Sequence, residues 1–129
     1  MKPANAFVII LFFICSLRAA GIAQSAKSID EIKSSIDQVD RGNAEEVRAA
    51  LPDLIPKYQN TPGILYLQGR LATDGVEAVK FYQSVVDNFP KCEWADDALY
   101  RIYQYYHATG LYRTANLKLE QLKKDYPRS

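Results

Sequence analysis

His107 and the acidic pair Asp96-Asp97 are the residues whose types and spacing come closest to chemistry, and their surroundings argue against it. His107 is the one histidine of the chain. No cysteine and no converging set of carboxylates stands at metal-ligand spacing from it, so no metal site is expected. Beside a glycine turn at a helix end, its ring suits the negative pole of the helix dipole. Asp96-Asp97 reads as the charged first turn of a helix, favourable to the opposite pole, rather than as a catalytic pair. Serine, histidine and aspartate are all present, but no nucleophile elbow brings them together. No glycine-rich loop could cradle a phosphate. Lys118, Lys123 and Lys124 belong to a solvated helix face. The expectation is a chain with no catalytic residue, no cofactor and no metal.

The elements that would position these residues are helices. Leu99, Ile102, Tyr103 and Tyr106 fall at i, i+3, i+4 and i+7, one face of a helix. Gly110 supplies a turn, since a left-handed C-cap residue is cheapest without a Cβ. Leu111, Ala115, Leu119 and Leu122 then form a second stripe that faces back onto the first, and Pro127 ends it. The predicted unit is an αα-hairpin. Tyr103, Tyr106, Tyr112 and Tyr126 are expected in its core, with Tyr105 exposed.

That hairpin has a relative upstream. Ala78, Tyr82, Val85, Phe89 and Pro90 align without a gap with Ala115, Leu119, Leu122, Tyr126 and Pro127, each pair 37 residues apart. A weaker copy runs through Gly42, Val47, Leu51, Leu54 and Tyr58. Partner helices precede both copies. One opens at Pro62, where the missing N–H costs nothing, and ends at a tight Thr73-Asp74-Gly75 turn. The other runs from Ser28 to Asp40, with Ser28 and Glu31 as a capping box and Ile29, Ile32, Ile36 and Val39 as its stripe. Six helices in three hairpins, about 28–58, 62–89 and 94–126, with no strand signal, predict an all-α solenoid. Pro52 and Pro56 are expected to kink or shorten the second helix.

The first 23 residues read differently. Lys2, the apolar run from Phe7 to Leu17 and the small residues Ala19, Ala20, Gly21 and Ala23 predict a cleaved secretory signal peptide ending at Ala23. The run is too short for a span of about 20 residues. Cys15 as a lipidated residue is disfavoured by the bulky Ile14 before it. Residues 24–129 are therefore expected to be the exported domain, periplasmic in a bacterium rather than lipid-anchored. Removing Lys2 and Arg18 moves the formal charge from +1 to −1. A near-neutral chain offers no case for nucleic acid or an anionic membrane, and 48% hydrophobic content argues against disorder. Only Cys92 would remain, so no internal disulfide is available; most lone cysteines are small buried hydrophobes, and the sharper reading is an intermolecular disulfide in an oxidising compartment.

Taken together, the last unit resembles the tetratricopeptide repeat: Leu99, Ile102, Tyr103, Tyr106, Gly110, Tyr112, Ala115, Leu119, Leu122 and Pro127 follow its pattern. The middle unit matches from Ala78 to Pro90, and the first matches loosely. The stretch from Asn88 to Tyr100 is similar to the linker of exported bacterial repeat proteins of the Tol–Pal coordinator and outer-membrane assembly type, with Cys92 where serine is usual. The resemblance implies binding rather than catalysis, along a groove lined by the first helix of each hairpin. By that resemblance the groove residues are Tyr66 and Arg70 in the middle unit and Asp97, Tyr100, Gln104 and His107 in the last. Their expected partner is a protein or peptide of the cell envelope; the competing reading has Tyr66 and Tyr100 merely shield neighbouring helices. The alternative function is an oligomerisation module without a peptide ligand, a homo-oligomer built on the isoleucine stripe, the last leucine stripe or Cys92.

Overall fold

The structure, a computed structural model, describes residue 27 and residues 29–129. The predicted signal peptide, Cys15 and Ser28 lie outside the described residues. All the described secondary structure is helical: α1 (29–40), α2 (Ala44–Lys57), α3 (Pro62–Leu71), α4 (Gly75–Asn88), α5 (Ala95–Ala108) and α6 (Tyr112–Asp125). They form three consecutive antiparallel hairpins, stacked as in a solenoid.

Local chemistry sets the ends. Gly42 and Gly110 adopt φ of +95° and +79°, the left-handed conformation that a C-terminal turn requires. Pro62 opens α3 after an extended Thr61. Asp74 caps α4, accepting from the Val76 N–H at 2.7 Å. Gly75 is thus the first residue of a helix rather than part of a left-handed turn. Its missing side chain matters for another reason: a Cβ there would lie 2.6 Å from the Tyr105 ring. Tyr105 is accordingly half-buried on α4, whereas Tyr112 is 59% exposed. Both reverse the expectation for these two rings.

The prolines do not shorten their helix. Helix α2 runs unbroken through Pro52 and Pro56. Both lie on its exposed side, so the carbonyls they leave without partners can be hydrated and the helix continues.

Helix α3 is the centre of the core. Ile64, Leu67 and Leu71 are at most 3% exposed, each contributing about 2 kcal/mol by removal from water. Against them pack Val85 and Val86 of α4 and Leu99 and Ile102 of α5. Ile32 and Ile36 of α1, 2% and 8% exposed, belong to this same core. They pack within the chain and cannot form a seam between copies.

The second helices lie along one side. Lys118 of α6 donates to Gln83 of α4 at 3.0 Å. Arg48 and Leu51 of α2 share a cavity of about 270 Å³ with Glu77 and Phe81 of α4. The first helices line up on the other side, through the contacts that follow.

Candidate functional site

Two polar bridges tie the first helices together. Arg70 on α3 pairs with Asp40 at the end of α1, Nη2 to Oδ1 at 2.5 Å. Its side chain is only 12% exposed, yet it remains charged: burial opposes the charge, and the bonds to Asp40 and Tyr66 outweigh it. Further along, the Tyr66 hydroxyl of α3 donates to Asp97 Oδ2 of α5. Arg101 completes the bridge, its Nε donating to Asp97 Oδ2 at 2.8 Å and to the Tyr66 hydroxyl at 3.0 Å. Burial works against the Arg101 charge too, but those two bonds hold the guanidinium above its usual range.

Tyr66 is the hub of this arrangement. The Arg70 and Arg101 guanidiniums lie 6.0 and 5.9 Å from its ring centroid, within the range of cation–π attraction. Trp94 stacks on it at 6.3 Å and Tyr82 tilts against it at 5.8 Å. Burial first, and the bond to Asp97 second, raise the phenol pKa, so the ring stays neutral. At 3% exposure Tyr66 offers no surface to a partner. Its place among the groove residues is therefore corrected: it is a post inside the wall.

The remaining expected residues divide by exposure. Asp97, Tyr100, Gln104 and His107 share one face of α5 by helical spacing. Asp97 is half-buried by its bridge, while Tyr100, Gln104 and His107 are exposed. Between them runs a row of rings: Tyr100 to Tyr103 at 5.7 Å, Tyr103 to His107 at 5.7 Å, and His107 to Tyr112 across the turn at 5.3 Å. Such edge-to-face and tilted neighbours stiffen one another while leaving their rims open. Cys92 is half-buried elsewhere, beside a mostly apolar cavity of about 320 Å³ that Ile29, Tyr58 and Trp94 also line. Burial pushes its thiol pKa up, away from the reactive thiolate.

Arg101 is the member that the sequence reading missed. The available signal was its i+4 spacing from Asp97, which pairs the two on one helix. The bond to Tyr66, 35 residues away, has no local signature.

Chemically the site is a braced polar wall with an aromatic rim. Its carboxylates are engaged by cations and its phenol is neutral. Among the described residues no group of three histidine, cysteine or acidic side chains could hold a metal ion. No described helix is long and apolar enough to cross a membrane. Comparison with protein-family models, with curated proteins and with solved structures yields no match to this chain.

Proposed function

We propose that this chain is a non-catalytic interaction adaptor of the tetratricopeptide type, exported to the bacterial envelope, that holds a segment of a partner protein along α1, α3 and α5. The observation that carries the reading is the division of labour on that side. Tyr66, Arg70 and Arg101 are spent on bracing the helices, which leaves Tyr100, Gln104 and His107 presented on a stiff support. Flat rings with polar rims bury area at low entropic cost and orient a peptide backbone. Preorganisation of this kind favours binding, because little remains to be ordered when the partner arrives.

The test is a photo-crosslinking residue placed at Gln104 in the native envelope. A discrete adduct with another protein is expected, and it should disappear in Tyr100→Ala/His107→Ala with the circular dichroism melt unchanged. Crosslinks that are diffuse, or indifferent to those substitutions, would defeat the adaptor reading.

A further inference from the structure

The second helices carry an outward face of their own. Glu45, Ala49, Pro52 and Pro56 of α2 follow i, i+4, i+7, i+11 spacing and are all exposed. On α4 the equivalent exposed positions include Val76, Lys80 and Asp87, and on α6 they are Arg113, Leu117, Glu120 and Lys124. Val76 is 51% exposed and Leu117 66%. Three 14-residue helices side by side span roughly 20 by 30 Å. That is of the order of the approximately 800 Å² that each partner contributes to a standard interface.

Charge along this face runs from negative to positive. Helix α2 carries Glu45, Glu46 and Asp53 against Arg48 and Lys57; Arg48 is engaged by Glu45 of the same helix and Lys57 by Glu31 of α1. Helix α6 carries Arg113, Lys118, Lys123 and Lys124 against Glu120 and Asp125; Lys123 is engaged by Glu120, and Lys118 is turned to Gln83 of α4. Glu46 and Asp53 at one end, and Arg113 and Lys124 at the other, enter no ion pair among the described residues. The middle helix, α4, repeats the pattern in small with Lys80 and Asp87.

A face that is acidic at one edge and basic at the other complements a copy of itself turned through 180° about its centre. We propose that this face joins two copies of the chain about a two-fold axis over α4, with α2 of each copy lying on α6 of the other. Leu117 then packs on the low-relief Ala49-Pro52-Pro56 surface of the second copy. Glu46 and Asp53 meet Arg113 and Lys124 twice over, as an isologous interface requires. The first helices remain open on the far side, so two partner segments could be held by one dimer.

Sedimentation velocity of the purified protein over a concentration series tests this. The expected result is a reversible dimer that weakens with added salt, since the pairs at its edges are exposed and screened. Arg113→Glu/Lys124→Glu and Glu46→Lys/Asp53→Lys should each be monomeric, roughly a two- to five-fold loss of affinity accruing for every pair turned repulsive. Mixed together, the two variants should form a heterodimer. Leu117→Asp, at a site too exposed to threaten the fold, should weaken the dimer about ten-fold or more. The proposal is overturned by a monomer at every concentration, by a dimer that ignores these substitutions, or by variants that fold but do not pair when mixed.

Discussion

The Tyr66 hydroxyl of α3 and the Asp97 carboxylate of α5 satisfy each other across the boundary between two hairpins. Asp97 also accepts from Arg101 of its own helix, but the Tyr66 hydroxyl reaches it only when the hairpins are docked. Tyr66→Phe should cost about 1–2 kcal/mol, and Asp97→Ala, which also releases Arg101, should cost more. Because both remove the Tyr66–Asp97 bond, the double variant should cost about 1 kcal/mol less than the sum. Urea melts of the four proteins decide it, and strict additivity would show that the contact holds nothing.

Gly69 offers a sharper test of packing. A Cβ there would stand 2.6 Å from Cε1 of Tyr82, a ring that is itself only 6% exposed. Gly69→Ala should destabilise by about 1–3 kcal/mol through overpacking. In a Tyr82→Ala background the same change should turn stabilising by up to about 1 kcal/mol, because alanine is the better helix former. Thermal melts in both backgrounds would expose a cost that does not depend on Tyr82.

Alkali should unfold the protein earlier than its charge alone suggests. Burial pushes the Tyr82 phenol from 10.0 up to about 12, and Tyr66 is raised in the same direction. A raised folded value favours the neutral form, so this stability is complete below pH 10 and is lost between pH 10 and about 12, as the unfolded chain ionises and the folded one does not. The loss from Tyr82 alone is at most about 3 kcal/mol, less whatever solvent screening removes. Stability followed by urea titration against pH should fall through that window, and Tyr82→Phe should shallow the slope.

Cys92 should react sluggishly. Its thiol is half-buried and its pKa is raised by burial first, so little thiolate is present near neutral pH. Iodoacetamide labelling, followed by intact mass, should be several-fold slower in the native protein than in urea. Equal rates would mean that the cavity beside Trp94 gives the sulfur no shelter.

The helices were legible because their signals are local. Gly42, Gly110 and Pro62 punctuate the chain through backbone chemistry, and the stripes of α4 and α6 repeat at one offset. What the sequence hid is tertiary. Tyr66 and Tyr100 are the same residue type on neighbouring first helices, yet one is a buried hub and the other is exposed. Nothing in a helical period distinguishes them, since that depends on which rings and guanidiniums arrive from elsewhere. Arg101 was invisible for the same reason. Tyr105 and Tyr112 exchanged roles because Gly75 leaves room for one ring, and that vacancy is recognisable only when the hairpins are set side by side. Pro52 and Pro56 do not end α2, because the carbonyls they leave unpaired lie on its exposed side.

The stacking of hairpins has a consequence for how the molecule comes apart. Among the described residues each helix is held chiefly by its neighbours in sequence, and no distant segment closes the array into a ring. Such a chain behaves as a short row of coupled units, whose cooperativity is set at each junction. The Asp40–Arg70 pair and the Tyr66–Asp97–Arg101 cluster sit at the two junctions. Loss of one should let the adjoining hairpin fray while the rest remains folded, and amide exchange would record the protein as segments of different lifetime.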